Sequence, residues 1–110
     1  EVDLYVEDPL CGFDVSISMW RDILDGVFYA GNKKNLKNLP KELPVHIIGG
    51  ANDPCTNNGR DMEKLAVKLR NNGLSDVTFK ILESTRHESL NEIKRDQTTA
   101  LFISWLQERF

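Results

Sequence analysis

Two residues of complementary chemistry each follow an apolar run of this sequence. Asp53 comes soon after the run Val45–Ile48, and His87 comes soon after the run Val77–Leu82. A carboxylate that binds one imidazole nitrogen fixes the tautomer, so that the other nitrogen can take a proton from a nucleophile. If both runs are parallel strands of one sheet, both residues lie on the rim where open α/β sheets carry their functional groups. We therefore predict that Asp53 and His87 form a hydrogen-bonded acid and base pair, with an oxygen to nitrogen distance of about 2.6–3.2 Å.

Each member of this pair has a purely structural interpretation when it is taken alone. An aspartate followed by Pro54 is commonly a turn former, and a single histidine in a loop is commonly a surface residue. Only the placement of both residues beyond strand ends favours catalysis.

The apolar periodicity predicts the elements that position the pair. The run Val45–Ile48, closed by Gly49 and Gly50, is typical of a strand buried on both faces of a parallel sheet, and Val77–Leu82 is the second strand. Helices are predicted over about residues 16–29, around Met62 to Leu69 with a stop at Gly73, and after about Lys94. This alternation is typical of an α/β fold with a parallel sheet. Because a two-stranded unit is marginal in water, we expect the sheet to continue in residues outside this chain.

Several finer expectations concern local structure. Residues 1–12 should be an extended stretch that ends in a turn, because Pro9 disfavours helix at Asp8 and Gly12 permits a reversal. The segment Ser89–Glu92 fits a helix capping box, which favours structural roles for Glu88 and Glu92. His46 should be a satisfied core or edge residue. Residues on the helical stripes should be buried, namely Trp20, Met62, Leu65, Ala66, Leu69, Leu101, Phe102, Trp105 and Leu106.

Composition and charge exclude some classes of function. The 110 residues carry a formal charge of −3, and a nucleic-acid binder needs a clustered Lys/Arg excess that is missing here. The local lysines at positions 33, 34, 37 and 41 are interpreted as a solvated connector. No apolar run approaches the roughly 18 residues of a membrane span, and no signal peptide opens the chain. We expect a soluble protein that does not cross a membrane.

The cysteine content points to a reducing compartment. Cys11 and Cys55 are too few for a disulfide scaffold and lack metal-ligand spacing. The sequence thus predicts free thiols, a cytoplasmic location, no cofactor and no metal site. The chain begins at Glu1 rather than Met, which indicates either processing or a piece of a longer protein.

The sequence resembles the C-terminal part of lysophospholipases and monoacylglycerol lipases of the α/β-hydrolase superfamily, which are serine aminopeptidase-like. Leu43 to Pro54 is similar to that family's penultimate core strand and acid loop. Leu74 to Lys80 resembles its entry into the last strand, and Arg86 to Glu92 resembles its catalytic-histidine segment. Asp8 to Phe13 resembles a segment that bridges the family's lid and core. The resemblance implies that residues 1–42 are the end of a lid and a connecting helix, and that residues 43–110 are the C-terminal part of the core with its last two parallel strands.

The chain also departs from this family. It has no Gly-x-Ser-x-Gly nucleophile elbow and no oxyanion-hole segment, and neither Ser84 nor Ser89 is predicted to lie in such an elbow. Cys55 stands where an aliphatic residue is common in the family. A catalytic cysteine should open a helix or face a base with its own oxyanion donors, so we expect a packed or half-exposed thiol instead.

The resemblance implies one function and leaves alternatives open. Asp53 would orient His87 as the general base of a Ser-His-Asp triad that hydrolyses carboxylic esters of lysophospholipid or monoacylglycerol type, with the serine upstream of this chain. The chain alone is expected to be inactive. The alternatives are a non-catalytic α/β interaction domain and a receiver-like module with Asp53 as phosphoacceptor. The expected partners are a small acyl ester or lipid substrate and either the N-terminal half of the hydrolase core or a second copy, because an open strand edge favours association.

Overall fold

The computed structural model describes residues 2–110, which form two compact units. One unit ends at Asn35 and holds helices α1 (Val2–Glu7) and α2 (Ile17–Gly31); the other spans Leu36–Phe110. A short helix α3 (Lys33–Leu36) lies at the division in the chain.

The expected extended start of the chain is wrong, because Val2–Glu7 is helical. Proline restricts the residue before it, which is Asp8, and the helix ends one residue earlier, so the restriction is compatible with a helix here. The turn itself is confirmed: Asp8 accepts backbone hydrogen bonds from Cys11 N at 3.0 Å and, through its side chain, from Leu10 N at 2.8 Å.

Helix α2 matches the predicted span, but its apolar stripe is not buried. Ser16 caps the helix by accepting a hydrogen bond from Met19 N at 3.2 Å, which satisfies one of the free donors of the first turn. None of its residues is buried, and Trp20 is 56% exposed. The prediction that Trp20 packs in the core is therefore wrong. The periodicity identified the helix without identifying a surface that covers it.

The second unit contains the sheet. Strands β1 (Val45–Gly50) and β2 (Val77–Leu82) pair in parallel, with Val45 opposite Val77 and Gly50 opposite Leu82. Between them come a 3₁₀ turn (Pro54–Thr56) and helix α4 (Arg60–Asn71). This crossover connection confirms the predicted α/β order with two parallel strands and flanking helices.

One face of the sheet packs against α4. Met62, Ala66 and Leu69 of the predicted stripe are buried, whereas Leu65 is 42% exposed and was wrongly expected in the core. Gly49 permits this close packing, since a Cβ atom there would lie 2.3 Å from the sulfur of Met62. The core cluster consists of Leu36, Ala66, Leu69, Leu74 and Val77, with Leu39, Val45, Ile47 and Phe79 packed against it.

Helix α5 (Arg95–Gln107) and the residues that follow it make polar and aromatic contacts with the sheet region. The Trp105 ring stacks on His46 at 5.0 Å between centroids, and its indole N–H donates to Thr78 Oγ1 at 2.9 Å. Arg109 binds both carboxylate oxygens of Asp76, at 2.7 and 3.1 Å. Trp105 is half-buried as part of this contact, and His46 is a satisfied residue as predicted, because its Nδ1 lies 2.7 Å from Thr78 Oγ1.

The predicted buried stripe of α5 is only partly correct. Leu101 is 45% exposed and Phe102 is 37% exposed, whereas Leu106 is half-buried. The buried residue of this helix is Thr98, which periodicity of apolar residues could not identify.

Among the described residues, no helix is both long and apolar enough to cross a bilayer.

The core packing of α4 generates a testable prediction. Leu69→Ala removes buried apolar volume and should lower the free energy of unfolding by about 2–5 kcal/mol. Leu65→Ala makes the same chemical change on the exposed part of the same helix and should cost less than about 1 kcal/mol. Urea unfolding followed by circular dichroism measures both, and equal losses for the two variants would contradict the assigned core.

Candidate active site

The acid loop begins directly after β1 and fixes Asp53 from several sides. The Asp53 side chain caps the 3₁₀ turn: Oδ1 accepts from Cys55 N at 2.9 Å and Oδ2 accepts from Thr56 Oγ1 at 2.9 Å. Only 2% of the residue is exposed. A buried carboxylate without partners would be costly, and these donors offset that cost in one defined orientation.

The end of the acid loop uses residues that tolerate left-handed backbone. Asn57, Asn58 and Gly59 have φ values of 54°, 56° and 83°. Asn58 N donates to the Asp53 carbonyl at 2.8 Å, which closes the loop on the acid. Asparagine and glycine adopt this conformation at the lowest cost, which explains the Asn-Asn-Gly sequence before α4.

The histidine loop is joined to the acid loop through main-chain contacts. Asn52 N donates to Thr85 O at 2.9 Å, and Thr85 is only 1% exposed. Gly50 lies against the same segment, since a Cβ atom there would be 2.1 Å from Thr85 O and 2.2 Å from Arg86 O. The two loops therefore meet at a position that has no room for a side chain.

Glu92 anchors the histidine loop from its far end. Its Oε1 accepts a hydrogen bond from Arg86 N at 2.7 Å, one residue before the histidine. The expected capping box at Ser89–Glu92 is wrong, because that segment forms turns and α5 begins only at Arg95. Glu92 thus has a structural role, as predicted, but it stabilises the loop rather than the helix start.

The structure brings Asp53 and His87 together at the predicted distance. His87 Nδ1 lies 3.1 Å from Asp53 Oδ2. The side chain of His87 is 65% exposed, in contrast to the buried acid. The pair joins a buried, hydrogen-bonded carboxylate to an accessible imidazole.

The electrostatics of the pair determine its protonation. Burial raises the pKa of Asp53, but the hydrogen bonds from His87, Thr56 and Cys55 outweigh that effect and hold the pKa below its usual value. The hydrogen bond and the negative charge of Asp53 raise the pKa of His87 above 6.5. Because the carboxylate is ionised at neutral pH, it can only accept, so the proton of neutral His87 lies on Nδ1. Nε2 is then the nitrogen that can exchange a proton with a nucleophile.

The other residues singled out in the sequence lie elsewhere or play supporting roles. Ser84 forms part of a turn with a φ of 57°, and Ser89 is buried in the following turn. Neither lies in a strand-to-helix elbow. Glu88 adds a small raising effect on the pKa of His87. Cys55 is an exposed free thiol beside the pair, rather than the packed or half-exposed thiol that we expected.

Sequence reasoning missed the residues that hold the pair in place. Thr56 orients the carboxylate, Thr85 links the loops, and Gly50 permits their approach. The hydroxyl three residues after the acid is a recognisable signal, because Asp and Thr at that spacing favour a local side-chain hydrogen bond. The role of Thr85 depends on a contact between distant loops and has no local signal.

A cleft of about 520 Å³ opens beside His87, which is within the size range of small-ligand sites. Its walls combine polar groups next to the histidine with the apolar side chains of Ile48, Leu90 and Phe102.

A parallel βαβ unit with an acid after one strand and a histidine after the next matches the order in which an α/β-hydrolase fold carries these two groups. Comparison with known protein families supports this match. The sequence profile of the serine aminopeptidase family, S33, matches residues 1–94, and the chain belongs to that family. None of the curated proteins compared with the chain matches it.

Solved structures that share the fold include an esterase and a lipase. A highly thermostable carboxyl esterase from Bacillus coagulans, solved in complex with glycerol, superposes with a TM-score of 0.86 at 22% identity over 97% of this chain. The monoacylglycerol lipase of Paleococcus ferrophilus superposes with a TM-score of 0.69 at 20% identity over 96% of this chain. The chain spans 35% and 38% of those two proteins, respectively. The predicted family and fold class are confirmed.

The close approach at Gly50 can be tested by adding one methyl group. Gly50→Ala should lower the free energy of unfolding by about 1–3 kcal/mol, because the Cβ atom meets the carbonyls of Thr85 and Arg86. Gly26→Ala is the control: it lies inside α2 with nothing within 4 Å of its Cβ position, and it should stabilise that helix by about 0.5–1 kcal/mol. Thermal unfolding of both variants measures the difference, and a neutral Gly50→Ala would rule out the tight contact.

The ion pair generates a prediction on pH. The pKa of His87 should exceed 6.5, so the stabilisation from the imidazolium is fully present below pH 6.5 and is lost as the pH rises through the folded pKa. Asp53→Asn removes the carboxylate that hydrogen-bonds His87 and attracts its positive charge. The pKa of His87 should therefore fall. Proton NMR titration of the imidazole signals in metal-free buffer measures both midpoints, with His46, whose pKa is lowered mainly by burial, as the internal reference. An unchanged His87 midpoint in Asp53→Asn would contradict the coupling.

Proposed function

We propose that this chain supplies the acid and the histidine of a Ser-His-Asp triad in a serine hydrolase of carboxylic esters, of the lysophospholipid or monoacylglycerol type. In this proposal Asp53 is the orienting acid, His87 is the general base, and the serine belongs to a segment that precedes this chain. The main support for the proposal is the hydrogen bond of 3.1 Å between His87 Nδ1 and the carboxylate of Asp53, a residue that is only 2% exposed.

The chemistry follows from this geometry. Nε2 of His87 takes the proton of the serine hydroxyl as the serine oxygen attacks the ester carbonyl, and Asp53 stabilises the imidazolium that forms. His87 then gives the proton to the departing alcohol, which leaves an acyl-enzyme. In the second half, His87 takes a proton from water, the resulting hydroxide attacks the acyl group, and the serine recovers its proton.

Two observations support an ester with an apolar acyl group as substrate. The structural relatives are named as a carboxyl esterase and a monoacylglycerol lipase. The cleft beside His87 is lined partly by Ile48, Leu90 and Phe102, which suit an acyl chain near the base.

The same proposal assigns a role to each of the two parts of the chain. Residues 1–42 are assigned to the end of a lid and a connecting helix, and residues 43–110 to the C-terminal part of the core. The exposed apolar residues of α2, which include Ile17 at 88% and Phe28 at 72%, support a need for further protein on this helix. The partner is the N-terminal half of the core or, failing that, a second copy of the chain. The free thiols of Cys11 and Cys55 support a reducing location, the cytoplasm.

The deciding experiment compares the 110-residue chain with the longer protein that contains it. A fluorophosphonate probe should label a serine of the longer protein and should not label the 110-residue chain, which has no Gly-x-Ser-x-Gly elbow. In the longer protein, Asp53→Asn should lower kcat for a nitrophenyl ester by roughly 10⁴-fold, because the histidine loses its orienting acceptor.

The matched control is Asp61→Asn, which makes the same change on the exposed first turn of α4 and should leave kcat unchanged. Labelling of the 110-residue chain, or full activity of Asp53→Asn, would contradict the proposed triad. A longer protein without any reactive serine would favour the non-catalytic interaction domain instead.

A further inference from the structure

A third potential ligand lies beside the acid and base pair. The ligand atoms of Asp53, Cys55 and His87 all lie within 4.8 Å of one another. The linear sequence does not predict this group, because His87 comes 34 positions after Asp53. The parallel sheet creates it by bringing both loops to one rim.

We propose that Asp53, Cys55 and His87 form a binding site for a divalent cation of the zinc class. A carboxylate oxygen, a thiolate and an imidazole nitrogen are the three ligand types that Zn²⁺ accepts, and a site with three protein ligands leaves the fourth tetrahedral position for water. Hard cations such as Mg²⁺ prefer oxygen ligands in larger number, so this set disfavours them.

The distances fit such an ion after a small adjustment. Ligand atoms about 2.0–2.3 Å from a tetrahedral Zn²⁺ lie roughly 3.3–3.8 Å from one another. The Asp53 to His87 contact is 3.1 Å, and the thiol lies within 4.8 Å of both. His87 has 65% of its side chain exposed and Cys55 is exposed, so both can shift by about 1 Å without disturbing packed residues.

The Asp53 carboxylate is held before any ion arrives, and the backbone of Cys55 is fixed beside it. Asp53 and Cys55 flank Pro54 in one 3₁₀ turn, and Cys55 N donates to Asp53 Oδ1 at 2.9 Å. Thr56 Oγ1 donates to Asp53 Oδ2 at 2.9 Å, which is the kind of outer hydrogen bond that orients a ligating carboxylate. Because the turn fixes these positions, binding needs to order only the two exposed side chains.

The site has a consequence for catalysis, and this consequence alone depends on the proposed function. A cation coordinated by His87 occupies an imidazole nitrogen and separates the histidine from its orienting acid. The bound state should therefore be inactive, and removal of the ion should restore the acid and base pair.

The test measures binding to the 110-residue chain and needs no substrate. Isothermal titration of the reduced protein with Zn²⁺ should give one ion per chain, with no comparable binding of Mg²⁺. Co²⁺ should give the intense visible bands of a tetrahedral site together with a thiolate charge-transfer band in the near ultraviolet.

Three variants decide the outcome. Cys55→Ala should weaken Zn²⁺ binding by at least about tenfold and abolish the charge-transfer band of bound Co²⁺. Cys55→Ser keeps the size of the side chain and serves if the alanine variant fails to fold by circular dichroism. Cys11→Ala removes the other thiol of the chain and should leave binding unchanged.

Some results would overturn the site. Equal Zn²⁺ affinity in the wild type and in Cys55→Ala, loss of binding in Cys11→Ala, or one ion shared between two chains would each exclude it. None of these results tests the serine triad. The triad is tested separately, by probe labelling of the longer protein.

Discussion

The parallel pairing of β1 with β2 is the constraint on which the candidate site depends. Gly50 and Leu82 are partners at the carboxyl ends of the two strands, so both strands leave the sheet at the same level. The contacts continue past the strands, because Ala51 N donates to Leu82 O and Asn52 N donates to Thr85 O, each at 2.9 Å. A slip of one residue would turn every side chain to the other face of the sheet and separate the two loops. The residues that pack β1 and β2 against α4 are therefore as necessary to the pair as the loops themselves.

The two members of the pair differ in burial and in the hydrogen bonds that hold them. Asp53 is buried and receives hydrogen bonds from Cys55 N and Thr56 Oγ1, whereas His87 is exposed and is positioned by its neighbours Thr85 and Arg86. This division suits an acid and base pair. The carboxylate must keep one orientation to fix the tautomer, whereas the imidazole must approach and leave a nucleophile during proton transfer. The same division makes the rim adaptable to a cation, since the anchored ligand is also the most buried one.

The sequence predicted the parts of the structure that local periodicity determines. Both strands, α2, α4 and α5 lie where their patterns placed them, and the acid and histidine loops follow from the strand ends. It failed where burial depends on the neighbours of an element. Trp20 and Phe102 lie on apolar stripes but remain exposed, because a stripe shows that a helix has an apolar face and does not show what covers it. The first helix was missed because a segment of six residues has too few periods to distinguish helix from strand. The Glu92 to Arg86 contact and the proximity of Cys55 to His87 depend on tertiary structure, which no spacing in the sequence reports.

Because His87 is exposed, its pKa would respond to any protein that covered this rim. In water, the attraction between the imidazolium and the Asp53 carboxylate is weakened by solvent and salt. Covering His87 with apolar protein would strengthen that attraction, and it would also remove the hydration that stabilises the imidazolium. The first effect raises the pKa of His87 and the second lowers it, so their balance is set by the short contact to Asp53. The more completely the histidine is buried, the more its protonated form depends on this single carboxylate. In the proposed role of His87 as a general base, a covered imidazole would be a strong base only while the Asp53 bond was intact. The packing of the acid loop, through Thr56, Gly50 and Thr85, would then contribute to the proposed chemistry.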